Sequence, residues 1–173
     1  MSTADSIREP DALLQSWRRT VARRRHDAAI YDTRREVLRT FEAIETEAAG
    51  FGDAELAPLA PGAVVGIQLG NHPSWPALLL ACIRRGLVAV PLERSISEQE
   101  RASALQTCRA AASVTAAAND KIAVTSRAAE RTGRIEWDNG APSLLKLTSG
   151  TTAAPRAIRF RSEQLLADCE QIC

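Results

Sequence analysis

Val64-Val65-Gly66-Ile67-Gln68-Leu69 is a compact, largely β-branched run, and the turn residues Gly70, Asn71 and Pro73 follow it directly. Trp75, Leu78, Leu79, Cys82 and Ile83 then recur with helical spacing, and Leu87 to Leu92 makes a second apolar run. Strand, turn, amphipathic helix and strand in so short a stretch form a crossover unit, which pairs its strands in parallel. Neither strand alternates with polar residues, as expected where a sheet is covered on both faces.

The same rhythm continues downstream. Ser97 and Glu100 have the spacing of a capping box and open a helix predicted to turn Leu105, Cys108 and Ala112 inward. Val114 and Ile122 to Thr125 supply further strands, and the alanines from Ala110 to Ala118 read as a helix end plus a strand start. Upstream, residues 1–10 read as a flexible tail. Leu14, Trp17 and Val21 mark a helix beginning near Asp11, and Ala28 to Tyr31 a short strand. Val37, Phe41, Ile44 and Ala48 share helical spacing up to Gly50 and Gly52, where glycine suits a helix terminus, and a proline-rich connector runs from Pro58 to Gly62. The expected fold is α/β: a doubly wound, mostly parallel sheet with helices on both faces, spanning residues 11–173.

Composition agrees with a folded domain and narrows its partners. The chain has 173 residues, 45% of them hydrophobic and 25% charged, enough for a core without staples. A net charge of +1 argues against a general nucleic-acid binder, and Arg18, Arg19, Arg23, Arg24 and Arg25 read as a solvated helix face without an aromatic platform. Cys82, Cys108, Cys169 and Cys173 match no zinc or redox spacing. Cys82 and Cys169 fall on apolar helical stripes, where buried, reduced thiols are expected. No apolar run reaches the ~20 residues that span a bilayer, and no secretory signal opens the chain. A cytoplasmic setting follows as the expectation.

After Gly133 the pattern changes to short extended pieces at Ile135–Trp137, Ser143–Thr148 and Ala157–Phe160. The last two flank Thr148-Ser149-Gly150-Thr151-Thr152-Ala153-Ala154-Pro155-Arg156. Hydroxyl residues around a glycine can turn several backbone N–H groups and side-chain donors toward one point, a concavity that suits a polyphosphate. The loop has neither the Gly-Lys-Ser/Thr end and following helix of a Walker loop nor the three glycines of a dinucleotide fingerprint. Ser74, near His72, does not sit in the Gly-x-Ser-x-Gly elbow of serine hydrolases. In Ala157-Ile158-Arg159-Phe160-Arg161 apolar and charged residues alternate, predicting a strand with one buried face. Ser162 is an expected N-cap for a last helix with Leu165, Leu166, Cys169, Ile172 and Cys173 on one stripe, and that helix looks interrupted at the chain end.

The loop resembles the signature of the adenylate-forming, AMP-binding superfamily, which includes acyl-CoA synthetases, fatty-acyl-AMP ligases and adenylation domains. That signature reads roughly Thr-Ser-Gly-Thr-Thr-Gly-x-Pro-Lys. Pro61 to Ile67, Asn71 to Trp75 and Arg85 to Leu92 resemble the family's earlier landmarks in the right order, so the likeness runs from about residue 17 to residue 173. The resemblance implies a partial N-terminal ligase domain. The family joins a carboxylic acid to ATP with Mg²⁺, releasing pyrophosphate, and commonly passes the acyl group to CoA or a carrier-protein thiol. It further implies that Thr148, Ser149, Gly150, Thr151, Thr152 and Arg156 contact the phosphates. Ala153 replaces the usual glycine, and Arg156 the usual lysine, keeping its charge in a planar fork. The family's adenine-binding segment, ribose-binding acid, acyl pocket, hinge and late lysine would all lie beyond Cys173. The isolated chain is therefore expected to be inactive, and the alternative is a noncatalytic module that binds a partner chain supplying the missing parts.

Overall fold

The apolar runs become the centre of a six-stranded sheet. The computed structural model describes residues 11–117, 120–127, 135–148 and 156–172. The elements are α1 (Ala12–Arg24), β1 (Ala28–Tyr31), β2 (Val37–Thr40), α2 (Phe41–Asp53), β3 (Val64–Gln68), α3 (Trp75–Arg84), β4 (Val88–Pro91), α4 (Glu98–Thr107), β5 (Ala112–Ala116), β6 (Ile122–Ser126), β7 (Leu144–Thr148), β8 (Arg156–Phe160) and α5 (Ser162–Ile172). β1 and β2 form a separate antiparallel pair, and the main sheet has the order β6-β5-β3-β4-β7-β8. Its inner strands β5, β3, β4 and β7 are parallel, while β6 and β8 join the edges antiparallel.

Alternate side chains of β3 and β4 enter different cores. Val65, Ile67 and Ala89 pack with Leu14 of α1, Ile44 and Ala48 of α2, and Leu78 and Cys82 of α3. Val64, Val88 and Val90 pack on the other face with Leu105 of α4, Cys108 and Leu145, against which Ile135 and Trp137 lie. The sheet is thus covered on both faces, as the apolar runs predict. Full burial of each such side chain contributes about 1.5–3 kcal/mol. Gly66 lets α4 close on the sheet: a Cβ there would lie 2.2 Å from Leu105 Cδ2.

Caps explain several boundaries. Asp11 caps α1, its Oδ1 accepting from Leu14 N–H at 3.1 Å, and Ser97 with Glu100 forms the expected reciprocal box at α4. At α5 the serine prediction shifts by one position. Gln164 Oε1 accepts the N–H of Arg161 at 2.9 Å, so Arg161 takes the cap position. Ser162 is buried, and its hydroxyl donates to Asp11 Oδ2 at 2.6 Å while accepting from Ser143 Oγ at 2.8 Å. One carboxylate therefore caps the first described helix and anchors the last.

Other expectations change with context. Val37 lies in β2 rather than on the following helix, because Thr40 caps α2 through Ala43 N–H at 3.2 Å. Gly50 and Gly52 fall inside the last turn of α2. Ala112 opens β5, and Ile135–Trp137 is not a strand of the sheet. The predicted buried face of β8 is absent: Ile158 is 46% exposed on this edge strand. Cys169 is exposed, unlike the buried Cys82 and Cys108. The five N-terminal arginines are exposed as expected, with Arg24 paired to Asp27 and Arg25 to Glu42.

Candidate functional site at the carboxyl edge of the sheet

β3 is followed by α3 and β4 on one side, whereas the next crossover carries β5 to its other side. Open α/β sheets bind ligands outside the carboxyl ends of their strands, at such a reversal. The predicted phosphate loop begins at the carboxyl end of β7, on this same edge. β7 and β8 pair antiparallel from Leu144↔Phe160 to Thr148↔Arg156, so the two outer residues of the predicted set stand opposite each other at the hairpin mouth. Ser149, Gly150, Thr151 and Thr152 lie outside the described residues.

Thr148 is half-buried and Arg156 exposed. The Thr148 hydroxyl donates to the Arg156 carbonyl at 3.3 Å, and a hydroxyl has only one hydrogen to give. In this rotamer Thr148 closes the mouth of the loop and offers a phosphate no side-chain donor. The exposed Arg156 guanidinium stands at the loop's exit as a fork suited to paired phosphate oxygens.

At the carboxyl ends of β3 and β4 the strand end and the segment after β4 are tied together, a feature the sequence reading missed. The Gln68 carboxamide N–H₂ donates to the carbonyls of Glu93 and Arg94 at 3.3 Å and of Ile96 at 3.4 Å. Gly70 has φ +59°, and a Cβ there would meet Arg94 Cβ at 3.3 Å, so glycine suits both the turn and the close approach. The available signal was a glutamine inside an otherwise apolar strand.

Ser74 and His72 do not form a hydrolase pair. Ser74 Oγ donates to Glu47 Oε1 at 2.5 Å, and His72 Nδ1 accepts the backbone N–H of Ser74 at 3.1 Å. His72 Nε2 lies 3.3 Å from Asp120 Oδ2. These residues border a cleft of about 510 Å³ also lined by Leu38 and Phe51. A second cleft of about 490 Å³, lined by Asp11, Arg84, Arg161 and Ser162, opens at the opposite edge. Burial pushes the Cys82 thiol up to about 12 and raises that of Cys108, which makes both poor nucleophiles. Among the described residues, no group of three or more His, Cys, Asp or Glu could hold a metal ion, and no helix is long and apolar enough to cross a membrane.

The described residues form a mostly parallel α/β sheet covered on both faces, and its β7–β8 hairpin is joined by the hydroxyl-rich stretch at the carboxyl edge. The chain belongs to the AMP-binding enzyme family, whose model matches residues 17–173. Its fold is that of the N-terminal subdomain of adenylate-forming enzymes. The complex of VinN with 3-methylaspartate superposes with a TM-score of 0.71 at 17% identity, over 92% of this chain and 50% of that one. The N-terminal subdomain of NpsA from Klebsiella oxytoca superposes at 0.63 and 18% identity, over 86% of this chain and 41% of that one. An artificially fused NpsA-ThdA adenylation–PCP di-domain from the same organism gives 0.63 at 19% identity, over 86% of this chain and 32% of that one. The chain spans half or less of the length of these structures. A search of curated proteins gave no match.

Proposed function

We propose that this chain is the phosphate-loop portion of an ATP-dependent ligase that activates a carboxylic acid as its acyl-adenylate and then passes the acyl group to a thiol of CoA or a carrier protein. The observation that supports this most directly is the family match over residues 17–173, which includes the loop. The pairing of Thr148 with Arg156 agrees with it by setting the loop's two ends side by side at the ligand-binding edge.

In this reading the carboxylate oxygen attacks the α-phosphorus of ATP and the bond to pyrophosphate breaks. Negative charge grows on the leaving group. Ser149, Thr151 and Thr152 supply hydroxyl and backbone donors to the β- and γ-phosphates, and Gly150 lets the backbone approach. Arg156 adds a fixed positive charge at the loop exit. Thr148 sets the mouth of the loop and contributes a donor only after its hydroxyl leaves the Arg156 carbonyl.

Mg²⁺ would be carried by the phosphate oxygens of ATP, with the loop's hydroxyl oxygens as the neutral ligands this stretch could add. When bound with ATP, Mg²⁺ supplies neutralisation of phosphate charge. The buried thiols Cys82 and Cys108 are consistent with a reducing, cytoplasmic setting.

Phosphate donors alone do not align acid and nucleotide, an effect worth roughly 7–11 kcal/mol of barrier. Carboxylate-dependent ATP–pyrophosphate exchange is accordingly expected to stay at background with the 173-residue chain. Robust exchange by this chain alone would overturn the assignment of inactivity. A second reading, a module complemented by a partner chain, draws support from the exposed Ile158 on edge strand β8. It requires exchange to appear when the remaining ligase segments are added in trans.

A further inference from the structure

His72 sits where two turns of the carboxyl edge meet, and its two nitrogens serve different elements. The residue is only 8% exposed. Nδ1 accepts the Ser74 N–H at 3.1 Å, so in the neutral ring the hydrogen resides on Nε2. That Nε2–H has no hydrogen-bond partner among the described residues. Asp120 Oδ2 is 3.3 Å away but off the N–H direction, so proximity does not amount to a bond. The tautomer also argues against a metal at Nε2, since a metal-bound neutral imidazole would carry its hydrogen on Nδ1, facing another donor.

The bond to Ser74 fixes the backbone just before α3, a helix with no side-chain cap of its own. Ser74 occupies the N-cap position, yet its hydroxyl is committed to Glu47 and caps nothing. Glu47 is in turn held by Arg39 at 3.2 Å. Asp120 stands in the β5–β6 turn with φ +63° and a largely exposed side chain. The charged groups that line the cleft with His72 are Glu47 from α2, Arg39 from β2, Asp120 and Lys121 from the β5–β6 turn, and Glu55 beyond α2.

We propose that His72 is a proton-operated latch that holds the β3–α3 turn when neutral and the β5–β6 turn when charged. Protonation adds a hydrogen at Nδ1, where it meets the Ser74 N–H; two donors cannot share that position, and the bond is lost. The same proton gives the ring a positive charge beside the Asp120 carboxylate. The ring then exchanges a backbone contact for an ion pair. Glu47 remains bound to Ser74 Oγ and Arg39, so α2 keeps its hold on the serine side chain while the turn before it is released.

Nitrogen-15 NMR of the full chain tests this, with the exposed His26 as internal control. While its ring is neutral, His72 should show the Nε2–H tautomer. As the ring protonates, the Ser74 amide proton should shift upfield along the same curve, and the Lys121 amide should move with it. In Asp120→Asn the Lys121 response should be lost and the Ser74 response kept. An Nδ1–H tautomer, a Ser74 amide that ignores the ring's titration, or a Lys121 response unchanged in Asp120→Asn would each overturn the latch.

Discussion

Replacing Gly66 by alanine tests how the sheet is built at its centre. The new Cβ would stand 2.2 Å from Leu105 Cδ2 and 3.4 Å from Leu92 Cδ1. Leu105 is 4% exposed and must retreat by about 1 Å or more to restore ordinary contact, either by leaving its rotamer or by lifting α4 from β3. Such overpacking costs roughly 1–3 kcal/mol, offset by about 0.4–1 kcal/mol because alanine restricts the unfolded chain. The mid-range net loss of about 1.3 kcal/mol corresponds to roughly 3–5 °C in Tm for a chain of this size. Urea denaturation of Gly66→Ala, Leu105→Ala and the double variant supplies the assay. Leu105→Ala alone should cost about 2–5 kcal/mol, and the double variant should fall short of the sum by roughly 1–3 kcal/mol, since each change relieves the other. Unchanged stability in Gly66→Ala, or strict additivity, would refute the close seating of α4 on β3.

Two further outcomes follow from the side-chain geometry. Burial alone would raise the Glu45 carboxyl, but hydrogen bonds from Arg84 at 2.5 Å and Trp17 at 2.6 Å outweigh it and hold it below the usual carboxylate value. A depressed carboxyl stabilises above its ordinary pKa of about 4.3 and loses that contribution as pH falls through its folded value. Glu45→Gln should therefore unfold at lower temperature than the native chain near neutrality, and the two thermal curves should converge in acid; a constant gap across pH would contradict the assignment. Alkylation mapped by peptide mass spectrometry at mildly alkaline pH should label the exposed Cys169 well before Cys82, whose thiol is pushed up to about 12 by burial. Labelling of Cys82 at the Cys169 rate would place it outside the core.

Much of the fold was legible because local signals and tertiary context agreed. The runs at Val64–Leu69, interrupted by Gln68, and Leu87–Leu92 lack polar alternation, as strands of a sheet covered on both faces do, and they occupy its centre. The errors came where one local signal served two structures. Val37 matched a helical spacing, yet a capping threonine divides strand from helix three residues later. In β8 the alternation suggested a buried face, but on this edge strand Ile158 lies in solvent. The position of the loop was readable from its flanking strands, whereas the engagement of the Thr148 hydroxyl by Arg156 depends on strand register, which spacing does not specify. The Gln68 clamp and the His72–Asp120 contact join segments far apart in sequence and left only isolated polar residues as clues.

Titration of the isotopically labelled chain with Mg²⁺ and inorganic pyrophosphate tests the central claim most directly, because it reads phosphate binding without requiring the complete reaction. The amides of Thr148 and Arg156 should shift saturably, Lys146 and Ile158 less so, and replacement of Thr151 and Thr152 by alanine should abolish the response. Shifts confined to the cleft around Arg84 and Arg161, or no saturable change at the hairpin mouth, would contradict the assignment of Thr148–Arg156 as the phosphate loop.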